Sequence, residues 1–304
     1  VIMDLKSKIV LIYGPTASGK SNFAIKLAKK IKGEIVNADS MQVYKELRIL
    51  TARPIKNNFK KIKHHLYGFQ NSKKNFSTGD WLRIAIKKIN EIRNRKKIPI
   101  LVGGTGLYFR ALTEGLVEIT SIPLKIRNKV RLLQKSLGQE KFYKKLLKLD
   151  PTIVNFVKST DVQRSIRAYE VKLFTKKSIT EWYKSTKSKF KKNEFLKFYI
   201  DYPRPELIEK INLRIKQMLN MGAVLEVKKF LKLRISKNKS VSKAIGITEI
   251  KDFIEKKIYK EEVIEKISIK TRQYAKRQVT WARGHMKSWK KIEPKRLNSF
   301  IKKI

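Results

Sequence analysis

The apolar residues of the chain switch repeatedly between the continuous run of a buried strand and the periodicity of a helix. Lys8-Ile-Val-Leu-Ile-Tyr13 is a short β-branched run that stops at a glycine, the pattern of a strand buried in a parallel sheet. From Ser21 to Ile31 the apolar residues Phe23, Ala24, Leu27, Ala28 and Ile31 recur at helical spacing, and Gly33 stops the helix. Glu34-Ile-Val-Asn-Ala38 reads as a second strand and Ile98-Pro-Ile-Leu-Val102 as a third, running into Gly103-Gly104-Thr105-Gly106. Between them, Asp80 is expected to cap a helix whose apolar face is Leu82, Ala85, Ile86, Ile89 and Ile92. Strands alternating with helices imply a parallel sheet wound right-handedly, with its site at the carboxyl ends of the strands.

The pattern changes between about Ile119 and Lys192, where Ile126–Leu137, Glu140–Leu149 and Val162–Phe174 read as amphipathic helices with no strand between them. Phe195-Leu-Lys-Phe-Tyr-Ile-Asp201 resumes the strand pattern, and Pro205 starts a helix that turns Leu207, Ile208, Ile211, Ile215 and Met218 inward. A last long helix, Glu261 to Arg283, mixes Lys266, Lys270, Lys276, Arg277 and Arg283 with Tyr274 and Trp281. The expected architecture is α/β: a discontinuous core of residues 1–118 and 193–304, interrupted by an all-helical insertion at 119–192.

Composition narrows the class. With 41% hydrophobic and 32% charged residues in 304, the chain is globular rather than disordered or collagenous. The absence of cysteine excludes disulfides, a thiol nucleophile and thiolate zinc sites. A formal charge of +48 makes a polyanionic partner the first hypothesis. The charge is nevertheless spread out. Residues 120–200 carry 21 Lys+Arg against 6 Asp+Glu, close to the chain average, and the richness in lysine, isoleucine and asparagine fits compositional bias as well as a partner. No apolar run approaches the roughly 20 residues of a membrane span. Val1 to Lys8 does not have the pattern of a signal peptide, so a soluble, cytoplasmic protein is expected.

The chemistry begins at Gly14-Pro15-Thr16-Ala17-Ser18-Gly19-Lys20-Ser21, which satisfies the P-loop pattern between a strand and a helix. Backbone N–H groups and a helix N-terminus there converge on a phosphate, Lys20 adds a point charge, and Ser21 offers a hydroxyl to Mg²⁺. Such a loop holds any diphosphate, not ATP alone. An ordinary ATPase would end its third strand in an acidic residue. This one ends in Gly103-Gly104-Thr105, whose glycines bring backbone close to a ligand and whose threonine suits a leaving phosphate oxygen better than a metal. Asp39, just past the second strand, is open to three readings: metal ligand, general base or turn cap. With no acidic or cysteine ligand at metal spacing, His64 and His65 read as hydrogen-bonded loop or core residues rather than zinc ligands.

Several blocks carry a resemblance: residues 14 to 21, Ala38-Asp-Ser-Met-Gln-Val-Tyr44, Thr51-Ala-Arg-Pro54, His64-His-Leu66, Leu101-Val-Gly-Gly-Thr-Gly-Leu-Tyr108, Asp161 to Glu170 with Arg164 and Arg167, Arg214, and Thr271 to Arg283. In this order, over nearly the whole chain, they resemble the tRNA dimethylallyltransferases (tRNA isopentenylpyrophosphate transferases). The resemblance implies transfer of a dimethylallyl group from dimethylallyl diphosphate to N6 of the adenosine beside the anticodon, position 37, in tRNAs reading codons that begin with U. It further implies that Thr105 hydrogen-bonds the bridging oxygen or holds the amine, that Asp39 accepts the N6 proton, and that Arg214 grips phosphate, with Mg²⁺ on the leaving group. Ser40, Met41 and Gln42 should then contact a flipped base. The tRNA anticodon stem-loop is expected on Gln163, Arg164, Ser165, Ile166 and Arg167 of the insertion and on Lys276, Arg277, Gln278, Trp281 and Arg283 of the last helix, with the chain acting as a monomer. The sequence departs from the family at Gly246-Ile247-Thr248, where Gly-Tyr and a basic residue are common, and at Leu50, where glycine is usual and only a turn is expected to be touched. The competing readings are a small-molecule P-loop kinase, which leaves the Gly-Gly-Thr strand end and the basic helices unexplained, and an RNA-binding GTPase-like switch, for which the chain lacks an Asn-Lys-x-Asp motif.

Overall fold

The computed structural model describes residues 7–54, 62–117, 119, 121–184 and 186–303. Residues 1–6, and positions 118 and 120 at the expected domain junction, lie outside this set. The chain divides into two compact units, Val1–Thr113 with Phe190–Ile304, and Glu114–Lys189. The second unit begins a few residues before the pattern change at 119, because helix α3 ends at Glu114.

In the first unit the described strands are β1 (Ile9–Tyr13), β2 (Gly33–Asn37), β3 (His64–His65), β4 (Ile98–Gly103), β5 (Phe195–Ile200) and β6 (Lys290–Ile292). They form one sheet in the order β3-β2-β4-β1-β5-β6, and every neighbouring pair is parallel. Tyr13 lies opposite Gly103 on one side and Tyr199 on the other, and Asn37 lies opposite Val102. The loops that follow β1, β2, β4 and β5 therefore leave the same edge of the sheet. Helices α1 (Lys20–Lys30), α2 (Thr78–Asn94), α3 (Gly106–Glu114), α7 (Arg204–Asn220), α8 (Ala223–Lys232), α9 (Ile247–Ile254), α10 (Lys260–His285) and α11 (Leu297–Lys303) belong to this unit, while α4 (Leu124–Leu149), α5 (Val162–Thr175) and α6 (Ile179–Lys184) belong to the second.

The central strands β1 and β4 are apolar throughout because both faces are covered. Val10 and Ile12 enter a core with Phe23, Leu27 and Ile211, whereas Ile9, Leu11 and Tyr13 enter another with Trp81, Phe109 and Trp289. All five residues of β1 are buried. His64 and His65 pair with β2 at the sheet edge; His65 Nε2 lies 2.7 Å from Glu34 Oε2, and His64 Nδ1 lies 2.9 Å from the Ile62 carbonyl. No group of three His, Cys, Asp or Glu among the described residues could hold a metal ion, and no helix among them is long and apolar enough to cross a membrane.

Two local expectations change. The cap of α2 is Ser77, whose Oγ accepts from the Asp80 N–H at 3.1 Å, while Asp80 reaches back to the Ser77 N–H at 3.0 Å. Asp80 is thus the N3 partner of a capping box rather than the cap, because Thr78 and Gly79 already belong to the helix. In the insertion, the two helices expected on either side of Gly138 are both present within α4, separated by a kink where Gly138 takes φ 69° and ψ 170°. The insertion builds its own core around Phe142, Leu146, Ile153, Ala168 and Val171. Strands β3 and β6 and helices α8, α9 and α11 were not anticipated, being too short for their periodicity to stand out.

Trp81 ties α2 to the edge where the loops emerge: its indole is fully buried, donates to the Asn37 carbonyl at 2.9 Å and stacks on Tyr108 at 4.2 Å. Trp81→Ala should cost about 3–5 kcal/mol in urea unfolding. Trp81→Phe, which keeps most of the packing and orphans one carbonyl, should cost about 1–3 kcal/mol; equal losses for the two would contradict this division.

Candidate active site

The loop from β1 to α1 has the conformation its sequence requires. Gly19 takes φ 79° immediately before the helix, where a side chain would be strained. The Ser18 N–H donates to the Pro15 carbonyl at 3.3 Å, and Lys20 Nζ donates to the same oxygen at 3.1 Å. Lys20 and Ser21 open the first turn of α1, which contains no acidic residue, so the amino end of the helix presents an uncompensated positive potential. Burial pushes the Lys20 ammonium down to about 8, with Asp39 opposing that shift and Arg214 adding to it. Arg214, from α7, donates from Nη1 to Thr16 Oγ1 at 3.1 Å and is likewise shifted down by burial, against the pull of Asp39. The structure thus brings Arg214 to the loop across 198 positions of sequence.

Gln278 of α10 holds this loop against the one after β4. Its Oε1 accepts from the Thr16 N–H at 2.8 Å, its Nε2 donates to the Gly104 carbonyl at 2.9 Å, and its own carbonyl accepts from the Tyr13 hydroxyl at 2.9 Å. The glycines that were expected to admit a ligand are explained differently by the packing. A Cβ on Gly103 would lie 2.0 Å from the Ala38 carbonyl oxygen, and one on Gly104 would lie 2.1 Å from Gln278 Nε2. Both glycines admit neighbouring protein groups, so the β4 loop can close on the β2 loop and on α10.

Asp39 and Thr105 sit where those loops meet. Asp39 Oδ1 accepts from the N–H groups of Met41 at 2.9 Å and Gln42 at 3.3 Å, and Oδ2 takes no hydrogen bond among the described residues. One oxygen therefore fixes the turn while the other is left for chemistry. Thr105 Oγ1 accepts from the Ser40 N–H at 2.9 Å and lies 3.3 Å from Ser40 Oγ, and the Thr105 N–H donates to the Ala38 carbonyl at 3.3 Å. Gln42 turns away, its Nε2 donating to the carbonyls of Thr51 and Ala52 at 2.9 and 3.3 Å.

A cavity of about 300 Å³ opens beside this assembly. Its lining is mixed: Thr16, Asp39, Ser40, Arg214, Lys243 and Arg277 are polar or charged, and Ile211, Ile215 and Met218 from α7 and Ile267 from α10 are apolar. Leu50 also lines it and packs on Gly246, where a Cβ would lie 2.6 Å from Leu50 Cδ1. The two departures Leu50 and Gly246-Ile247 therefore concern neighbouring positions, and Leu50 does more than occupy a turn. Cations and apolar side chains on one cavity suit a small amphiphile carrying phosphate.

The IPP transferase family model matches residues 42–285. The chain is 62% identical over 302 residues to the tRNA dimethylallyltransferase of Pelagibacter ubique (strain HTCC1062), an alignment that covers 99% of this chain and 96% of that one. The chain belongs to the IPP transferase family. Among solved structures it is similar to a tRNA delta(2)-isopentenylpyrophosphate transferase from Staphylococcus epidermidis (31% identity, TM-score 0.68, covering 97% of this chain and 96% of that one). It is also similar to a eukaryotic dimethylallyltransferase acting on tRNA (28% identity, TM-score 0.83, covering 94% of this chain and 74% of that one).

Within this member of the family, the residues expected to meet RNA divide into exposed and buried sets. Gln163, Arg164 and Arg167 are exposed on α5, and Lys276, Arg277 and Arg283 are exposed on α10. Ser165 is buried, donating to the Asp161 carbonyl at 2.7 Å, and Ile166 packs on the insertion core. Gln278 is buried with its amide fully used, and half-buried Trp281 packs on Gly106 and stacks on His285 at 4.0 Å. Helical spacing thus turns Ser165 and Gln278 inward and half-buries Ile166 and Trp281, so that the exposed residues among those expected to meet RNA are the cations and Gln163. Ile247 is buried as well. The sequence reading missed Tyr274, Thr271, Lys243 and Ile245 as cavity residues. For α7 the signal existed, since Ile211, Ile215 and Met218 share one helical face.

A lysine whose folded value is depressed opposes folding at neutral pH and ceases to do so as pH rises from about 8 toward 10.5. In an NMR titration of lysine Cε and Nζ resonances, one lysine should titrate near pH 8, move upward on addition of inorganic diphosphate, and vanish in Lys20→Met. Titration of every lysine in the ordinary range would contradict the burial assigned to Lys20.

Proposed function

We propose that this chain transfers the dimethylallyl group of dimethylallyl diphosphate to N6 of adenosine 37, beside the anticodon, in tRNAs reading codons that begin with U. The observation that carries the reading is one cavity lined both by Thr16 of the phosphate loop with Arg214 and by the apolar Ile211, Ile215 and Met218. Membership of the IPP transferase family favours this reading over the small-molecule kinase. Transfer requires a diphosphate cradle, a group to receive the amine proton, and a dry pocket for the developing allylic cation.

In this reading the α1 N-terminus with Gly14 to Ser21 binds the diphosphate, assisted by Lys20 and Arg214, and the burial of both cations strengthens their attraction for an anion. Ile211, Ile215 and Met218 enclose the prenyl tail and exclude water. Thr105, held by Ser40 and Ala38, positions the bridging oxygen or the amine, and the open Oδ2 of Asp39 orients N6 and receives its proton. Ser40 and Met41 border the extruded base. The exposed cations of α5 and α10 hold the phosphate backbone of the RNA.

Mg²⁺ fits the donors present. Ser21 offers a hard oxygen, and so sparse a set matches an ion that keeps several waters and takes its remaining ligands from phosphate. When bound, the ion would neutralise charge developing on the departing diphosphate.

The test is incubation with labelled dimethylallyl diphosphate, ATP or GTP, with and without unmodified tRNA: label should reach tRNA only from the prenyl donor. Asp39→Asn preserves the turn, since its amide oxygen still accepts from residues 41 and 42. It should nonetheless slow single-turnover transfer by roughly 10²–10⁴-fold with both dissociation constants nearly unchanged. A normal rate with an unchanged pH profile would remove Asp39 from the chemistry; a raised Mg²⁺ requirement would make it a metal ligand instead.

A further inference from the structure

A carboxylate from α8 holds a turn that lies far from it in sequence. Glu226 Oε1 accepts from the N–H groups of Arg48 and Ile49, and Oε2 from that of Leu50, each at 2.8 Å and across 176 to 178 positions. Three successive backbone donors facing one anion form a small nest, and bonds to an ionised acceptor are the stronger kind. The turn continues into the site. The Thr51 carbonyl accepts from Gln42 Nε2 at 2.9 Å, and the Gln42 N–H donates to Asp39 Oδ1 at 3.3 Å. Leu50, the last residue held by Glu226, lines the cavity together with Thr51 and is 7% exposed. Its side chain has protein behind it: a Cβ on Gly246 would lie 2.6 Å from Leu50 Cδ1 and 3.3 Å from Ile267 Cδ1, so Leu50 and Ile267 meet over bare backbone. Both are cavity residues, and so is Ile245 beside the glycine. A volume of about 300 Å³ is at the small end of ligand pockets, which run from roughly 300 to 1,000 Å³. A leucine fixed in that position therefore subtracts from space that is already short.

We propose that Leu50 sets the length of the prenyl chain admitted to the cavity, favouring a five-carbon over a ten-carbon allylic diphosphate, and that Glu226 is the positioning residue that holds it there. This rests on the prenyl transfer proposed above. The physical basis is steric. A longer chain needs the volume that the leucine fills, and the leucine cannot swing aside while its own N–H is tied to Glu226 and its side chain abuts Gly246. Interiors leave few gaps, and a single methylene in an apolar pocket changes specificity by about 10–200-fold.

The test measures kcat/KM of the full chain for dimethylallyl and geranyl diphosphates with saturating unmodified tRNA, and takes their ratio. The unaltered chain should prefer the five-carbon donor; equal use of both would overturn the proposal. In Leu50→Ala the preference should fall by about 10–200-fold. In Glu226→Gln it should fall by about tenfold, as one charge-assisted bond to the turn is lost. The double variant should fall no further than Leu50→Ala alone, because the carboxylate acts through that side chain. Leu50→Val, a smaller truncation, should shift the preference in the same direction by a smaller factor. Affinity for inorganic diphosphate should stay unchanged in all of them, which separates the wall from the phosphate loop. Slowing that passes through Gln42 and Asp39 affects both donors and leaves the ratio alone. Lys229→Gln, an exposed charge elsewhere on α8, is the control and should leave the ratio intact. An unchanged preference in Leu50→Ala and Leu50→Val overturns the wall, and additive losses in the double variant, or the same loss in the control, overturn the role of Glu226. Failure of the unaltered chain to transfer from either donor would instead sink the underlying functional reading.

Discussion

The spacing between the phosphate loop and the β4 loop is set by one buried amide. Gln278 joins the Thr16 N–H to the Gly104 carbonyl, while Tyr13 fixes its backbone from the end of β1. Inside the fold these groups have no water to turn to, so loss of the amide would orphan a donor and an acceptor together. The arrangement also explains the bare backbone of Gly104, because any side chain there would push the amide out. Neighbouring features of the site adjoin this contact. Thr105 follows Gly104 by one residue and meets Ser40, and Arg277, next to Gln278, borders the cavity with its guanidinium over the Tyr274 ring.

The electrostatics of the site favour an anion. Lys20 and Arg214 are half-buried beside the phosphate loop, where desolvation works against both charges, and Asp39 is the carboxylate that opposes the effect. Burying cations costs stability. The same burial makes them strong ligands for a multiply charged anion, since the attraction operates in a medium that screens poorly. Asp39 cannot neutralise them outright, because one carboxylate carries a single charge against their two. Ile211, Ile215 and Met218, on the same helix as Arg214, add apolar surface to the cavity that the cation borders.

How much of this was legible depended on the range of the contacts. The strand, phosphate loop and first helix could be read because Ile9 to Lys30 is one contiguous segment whose period changes at the glycines. Arg214 could be named, but its meeting with Thr16 depends on a sheet order that places β1 between β4 and β5. The internal contacts of Gln278 and Trp281 could not be read, because they sit among Lys276, Arg277 and Arg283, and a helix that carries cations on one face turns the residues of the other inward. Gly103 and Gly104 carried a true signal of close approach, but a glycine does not reveal what approaches it. Segment 243–245 carries no periodic signal, and only the packing of α7 and α10 turns it into a cavity wall.

The most direct test of the Gln278 clamp is single-turnover transfer by Gln278→Ala with dimethylallyl diphosphate and tRNA both saturating, alongside the dissociation constant for tRNA. Misplacement of reacting groups by about 1 Å can cost roughly 10²-fold in rate, so transfer should slow by about that factor while tRNA affinity changes little. A variant that transfers at the normal rate but has lost tRNA affinity would contradict the clamp and return Gln278 to the RNA surface.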